Sequence, residues 1–188
     1  MTSQQKYLAL EAYVKTKIPG FEVRLKRKKY AGDPWYRPIA DSVARVITPT
    51  YDTEFATTMY PYIYVPEGWI GHWAQMYGTL RHEYIHLRDI QKYGFLFKAS
   101  YLAVLPSVFT ARAEWEYRGF AQNIIGDVER EGKVPQERIT RLLEHFTGRN
   151  YLFMDPFFAK NRIATLVKKA ESGEIQGLWP YDEGFQTV

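Results

Sequence analysis

Polar and apolar positions change their rhythm once along this chain, near residue 70. Before that point Ser3 to Lys17 reads as a helix, ended by Pro19-Gly20. Phe21 to Lys28 alternates Phe, Val and Leu with charged residues, the two-residue period of a strand. Gly32-Asp33-Pro34 marks a turn. Val43 to Ile47 is short and β-branched, which predicts a second strand stopped by Pro49. Thr57 to Val65, rich in Thr, Tyr and Ile, predicts a third, with Pro61 at an edge or bulge.

After Pro66-Glu67-Gly68 the period becomes helical. His72 to Tyr93 carries Trp73, Met76, Tyr77, Leu80, Tyr84 and Leu87 near one stripe, and Gly94 is a natural cap. Further helices are expected over Phe95–Leu105, Phe109–Glu131 (closed by Gly132), Gln136–Phe146 and Pro156–Ser172. Strands followed by helices give an α+β fold, with one small antiparallel sheet ahead of a helical core. No linker or internal repeat divides the sequence, so residues 1–188 are expected to form a single domain.

Composition narrows the chemistry. The 188 residues are 46% hydrophobic, enough for a sizeable core, and contain no cysteine. Disulfides, zinc ribbons and thiol catalysis are thereby excluded, and any metal must sit on His, Asp or Glu. The N-terminal segment lacks a charged region followed by a long apolar one, so no signal peptide is expected, and a reducing, cytoplasmic setting fits. The apolar stretch from Ala99 to Val108 is interrupted by Ser100, Pro106 and Ser107 and falls short of the ~20 residues of a membrane span. No membrane partner is expected. The net charge of +4 owes most to Arg24-Leu25-Lys26-Arg27-Lys28-Lys29. A lysine-protected, solvated edge strand accounts for that cluster, and a nucleic-acid partner is not expected.

The residues that carry chemistry are His82-Glu83-Tyr84-Ile85-His86. Two histidines four apart lie only about 40° apart on a helix, so both imidazoles can reach one tetrahedral metal. Glu83, beside the first of them, is placed to take a proton from a water on that metal. A catalytic zinc needs three protein ligands and one open position. Six residues past His86 stands Lys92, which cannot complete a three-histidine site, and His145 is isolated. An acidic residue on a later helix remains, and Arg112-Ala-Glu-Trp-Glu-Tyr-Arg-Gly119 offers Glu114 and Glu116.

The run Leu80-Arg-His-Glu-Tyr-Ile-His-Leu-Arg88, with Lys92-Tyr-Gly94, Ser100-Tyr-Leu102, Pro106 and then Arg112 to Gly119, resembles the gluzincins. In that family a Glu from a later helix completes the zinc site. More narrowly, the chain is similar to small metallopeptidase-like proteins of phage genomes. The similarity begins near Thr57-Thr-Met-Tyr-Pro-Tyr-Ile-Tyr-Val-Pro66 and extends through Tyr151-Leu-Phe-Met154. It implies a zincin-like core, a Zn2+ cofactor and a peptide or protein substrate. One departure stands out. Many gluzincins carry an Asp shortly after the ligand Glu, whereas Glu116 is followed by Tyr117, Arg118, Gly119 and Phe120; Asp127 and Asp89 are the available replacements.

Helix phase chooses between the two glutamates, which lie ~200° apart. Glu116 falls within the apolar stripe of Phe109, Ala113, Phe120 and Ile124, where a carboxylate is costly unless compensated. Glu114 shares its side with Arg118 and suits a solvated pair. The reading is a zinc metallopeptidase with His82, His86 and Glu116 on the metal, Glu83 as general base and Tyr151 as an oxyanion donor. Met59 to Val65 is the strand expected to pair with an extended substrate. The rival reading is a zinc-site binding or host-interaction module without proteolysis. His72 is expected to be an ordinary residue at the helix start, and Tyr60, Tyr62 and Tyr64 one face of a strand.

Overall fold

Leu10, Val14 and Ile18 follow one another at four-residue intervals, and all three are completely buried. They line the inner side of helix α1 (Ser3–Lys17) and its C-terminal cap. Thr2 starts the helix with a capping box: its hydroxyl accepts the Gln5 amide at 3.2 Å while its own amide donates to Gln5 Oε1 at 2.8 Å. Gly20, at φ 76°, lets the chain reverse into the sheet. The computed structural model describes residues 1–97, 111–148, 155–181 and 185.

The sheet has three strands, β1 (Glu22–Leu25), β2 (Thr57–Met59) and β3 (Tyr62–Val65), in the order β1-β3-β2. It is mixed. β2 and β3 run antiparallel, with Thr58 opposite Ile63, whereas β1 runs parallel to β3, with Val23 opposite Ile63. The segment expected as one strand, Thr57–Val65, is two strands joined by a turn at Tyr60–Pro61, whose peptide bond is cis. Proline has no amide to give to a ladder, and here it sits where none is required.

Val43–Ile47 is not a strand. It is the second half of helix α2 (Arg37–Ile47), which a four-residue helix α3 (Tyr51–Glu54) follows. Pro38 in the first turn presets a helical φ, and Arg37 pairs with Asp41 one turn on, Nε to Oδ2 3.3 Å. β-Propensity is the weaker preference and yields to these contacts.

Among the described residues four long helices follow: α4 (Trp73–Tyr93), α5 (Ala111–Glu131), α6 (Gln136–Thr147) and α7 (Pro156–Glu171). An α+β fold with a small sheet ahead of a helical core therefore stands, and the histidine motif lies on α4. Most of the helix expected over Phe95–Leu105 lies outside the described residues.

By internal contacts the chain forms two compact units, Met1–Leu87 and Arg88–Val188, with the boundary inside α4. In the first, α1 packs on α4 through Tyr13 edge-on to Tyr84 (ring centroids 6.0 Å) and Tyr7 against Trp73 (5.5 Å). In the second, α5, α6 and α7 share a core that includes Ala121, Ile124, Phe146 and Ile163, with Tyr117 stacked on Phe146 at 4.2 Å. Buried Asp89 accepts from Arg118 at 2.8 Å and from the Tyr181 hydroxyl at 2.5 Å. Gln122 donates to the Trp179 carbonyl at 2.7 Å, so the C-terminal segment is pinned to both α4 and α5. Among the described residues no helix is long and apolar enough to cross a membrane.

Among the described residues β1 is an edge strand, as the sequence suggested, but only part of its basic cluster is solvated. Arg24 and Lys26 are 5% and 3% exposed; only Arg27, Lys28 and Lys29 face water. Arg24 reaches Glu22 at 2.8 Å and Asp33 at 2.6 Å and lies 3.4 Å above the Tyr62 ring. Arg37 pairs with Asp33 from the other side and covers the Tyr64 ring at 4.0 Å. Tyr64 donates to the same carboxylate at 2.6 Å. Alternation put Arg24 and Lys26 on one side of β1, and that side is covered by aromatic rings and acids from distant parts of the chain.

Asp33 thus joins β1, β3 and α2. Burial alone would raise its carboxyl, but hydrogen bonds from Tyr64, the Tyr30 amide, Arg24 and Arg37 outweigh burial and hold it at about 2. A carboxyl depressed in the folded state contributes stability above its unfolded value, and that contribution is lost as pH falls through the folded one. Asp33→Asn is therefore expected to cost about 3 kcal/mol at neutral pH, as removal of one partner from a buried charge network does. Urea unfolding of both proteins from pH 7 downward should show the gap closing between about pH 4 and pH 2. A gap of constant size would mean that the ionised carboxylate is not what holds these elements.

Candidate metal centre

α4 is amphipathic because Met76, Leu80, Tyr84 and Leu87 recur at helical spacing, and all four are buried. That stripe fixes the helix in rotation and so fixes where His82 and His86 stand. Their imidazoles approach with centroids 4.9 Å apart and planes inclined by 72°, and the two Nε2 atoms are 3.1 Å apart. On α5, Ala113, Tyr117, Ala121 and Ile124 are buried, and Glu116 is buried with them at 5% exposure. Ligand atoms of His82, His86 and Glu116 all lie within 4.8 Å of one another.

The donor set fits a divalent metal of the zinc type. Two neutral imidazoles and a carboxylate leave one position of a tetrahedron open. Zinc–nitrogen bonds of ~2.05 Å at a tetrahedral angle place two nitrogens about 3.3 Å apart, near the separation of the Nε2 pair. This is the fingerprint of a zincin-type metallopeptidase active site. No protein-family model, no curated protein and no solved structure matches the chain.

Glu83 is the next residue round the helix from His82 and is half-buried. Its Oε2 accepts a 2.6 Å hydrogen bond from the hydroxyl of Thr58 on β2. Successive residues of a strand point to opposite faces, and β2 uses both. Thr58 faces Glu83, while Thr57 meets the Tyr51 hydroxyl at 3.1 Å. Tyr51 in turn donates to Asp41 at 2.7 Å. Lys26 donates its ammonium to the Tyr51 carbonyl at 2.6 Å and lies 3.2 Å above that ring. Burial pulls the Lys26 ammonium down to about 8, against the carboxylates of Asp41, Asp52 and Glu83, which favour its charged form. Glu83 therefore sits in the field of a buried cation as well as on a hydroxyl donor.

Neither Thr58 nor Lys26 was among the residues expected here. The threonine pair ahead of the histidine helix was visible as strand composition, but nothing in one-dimensional spacing says which hydroxyl meets Glu83.

The remaining candidates fall as follows. Glu114 is solvent-facing as expected, but its partner is Arg162 on α7; Arg118 pairs with Asp89 instead. Asp127 is buried in ion pairs with Arg130 and Arg138, both 2.7 Å, which is a structural role. His145 packs edge-on against Phe120, centroids 5.0 Å apart, and His72 is an exposed residue just before α4. Tyr62 and Tyr64 share a strand face and carry Arg24 and Arg37. Tyr151 lies outside the described residues. The substrate strand expected over Met59–Val65 needs correction. β3 is the central strand, flanked on both sides, so among the described residues the edge strand near Glu83 is β2.

Two outcomes follow from this geometry. Glu116→Gln should lose bound zinc while Glu114→Gln keeps it, read by elemental analysis after dialysis against a weak chelator. The opposite pattern would assign the third ligand to the solvent-facing glutamate. Thr58→Val should lower kcat about tenfold or more with little change in KM, the size of a lost hydrogen bond to a charged group, and Thr58→Ser should restore it. A Thr58→Ser protein as impaired as Thr58→Val would point to packing rather than to the hydroxyl.

Proposed function

We propose that this protein is a zinc-dependent peptidase that hydrolyses peptide bonds in an extended substrate. The observation that carries the reading is the convergence of His82, His86 and Glu116, with a hydrogen-bonded Glu83 between the two histidines. His82, His86 and Glu116 would hold the metal. Zinc bound by such a donor set lowers the pKa of water and polarises a carbonyl.

The rest is the work of this chain's own side chains. Glu83 accepts the proton of the attacking water and delivers it to the leaving amine. The Thr58 hydroxyl fixes the carboxylate through Oε2, which orients Oε1 for the transfer. Edge strand β2 offers main-chain hydrogen-bonding groups along one side. A substrate laid there as a further strand would be held without regard to most of its side chains.

The experiment is hydrolysis of an unfolded protein by the purified chain reconstituted with zinc. Activity should disappear on chelation and return with zinc. Glu83→Gln should retain about one zinc per chain, keep its fold and lose at least ~10²-fold in kcat, since the amide cannot take the proton. Wild-type rates from Glu83→Gln would remove Glu83 as the base. A zinc-loaded protein inactive on every unfolded substrate would favour a binding module.

A further inference from the structure

Helix α2 is turned inside out. Its charged residues Arg37 and Asp41 are buried, at 5% and 8% exposure, while Ile39, Val43 and Val46 are 62%, 53% and 83% exposed. Trp35, just ahead of the helix, extends the same apolar stripe at 84% exposure. The inward orientation is set by Arg37, which donates to the carbonyls of Lys26 and Lys28 and pairs with Asp33 and Asp41. Those carbonyl contacts also hold the exposed Arg27-Lys28-Lys29 turn to the N-terminal end of α2. From Arg24 to Val46 there are seven basic and two acidic residues, against a net +4 for the whole chain. Both acids, Asp33 and Asp41, are consumed by the buried pairs, and nearby Asp52 is neutralised by Arg45 at 2.9 Å.

We propose that this face docks on an anionic lipid surface. A short helix that presents a tryptophan and aliphatic side chains beside a cluster of basic residues matches the interface of a negatively charged bilayer. The aliphatic stripe enters the headgroup boundary, Trp35 sits at the polar margin, and Arg27, Lys28 and Lys29 meet the lipid phosphates. Four apolar side chains are too few for a stable dimer, where a standard interface takes about 20–30 residues a side. A nucleic-acid surface would use the lysines but has no place for Ile39, Val43 and Val46. The attachment is peripheral and does not depend on the metal centre.

The test is co-sedimentation of the full chain with phosphatidylcholine vesicles and with vesicles that also contain phosphatidylserine. Binding is expected only to the mixed vesicles, falling steeply with salt. The exposed-site variants Ile39→Asp/Val46→Asp and Lys28→Glu/Lys29→Glu should keep wild-type melting curves and zinc content, yet each should weaken binding about tenfold or more. Absence of binding to the mixed vesicles overturns the proposal, as does binding that both variants leave unchanged. A wild-type dimer in light scattering that Ile39→Asp/Val46→Asp disperses would assign the face to a second copy. Duplex DNA binding abolished by Lys28→Glu/Lys29→Glu but untouched by Ile39→Asp/Val46→Asp would assign the turn to nucleic acid. Either result, without vesicle binding, replaces the lipid.

Discussion

A carboxylate taken out of water must find positive charge close by, and Glu116 is the point where this chain faces that requirement beside two imidazoles. An ionised group in an apolar stripe would otherwise shift its protonation or move outward. Ala113, Tyr117 and Ala121 hold α5 with Glu116 turned inward, at 5% exposure. The Nε2 atoms of His82 and His86 stand 3.1 Å apart, and ligand atoms of all three side chains lie within 4.8 Å of one another. A divalent cation suits all three ligand atoms at once, which is the physical basis for reading the grouping as a metal centre.

Elsewhere buried charge is compensated by other side chains. Arg24, Lys26 and Arg37 are buried cations that use aromatic rings and carboxylates as their surroundings: Tyr62, Tyr51 and Tyr64 beneath them, Asp33 and Asp41 beside them. Rings tolerate a cation better than aliphatic groups do, and guanidinium is the most weakly hydrated of the common cations. The tyrosine-rich strand β3 thus serves as a floor for charge. β2, the neighbouring edge, is tied to that floor through Thr57 and Tyr51, and through Thr58 to Glu83. Glu83 is therefore oriented by the sheet as well as by its own helix.

What could be read from the sequence, and what could not, divides along the distance between interacting residues. α1, α4, α5, α6 and α7 were legible because helix periodicity and caps are local, and the grouping of His82, His86 and Glu116 was legible because spacing and helix phase define it. The sheet was only partly legible. That β1 would run parallel to β3 depends on a crossover of more than thirty residues, for which local pattern carries no signal. Burial of Arg24 and Lys26 depends on Asp33, Tyr51 and Tyr62, and a run of basic residues gives no sign of partners that remote. Thr58 escaped notice for the same reason: its partner is 25 residues away.

The misreading of Val43–Ile47 has a different cause, and it leads to the surface of the molecule. A helix with charged residues four apart and aliphatic residues four apart can be inserted either way round, and burial of the aliphatic side is the usual outcome. Here Arg37 and Asp41 are fixed inward by partners on the segment after β1 and on α3. Ile39 follows Arg37 by two residues and Val43 follows Asp41 by two, about 200° round the helix in each case. Once the charged pair faces in, the aliphatic stripe has to face out. The exposed apolar face of α2 is thus a direct geometric consequence of the buried ion network. The network stabilises the first unit of the chain and, by the same contacts, leaves the stripe available for a partner.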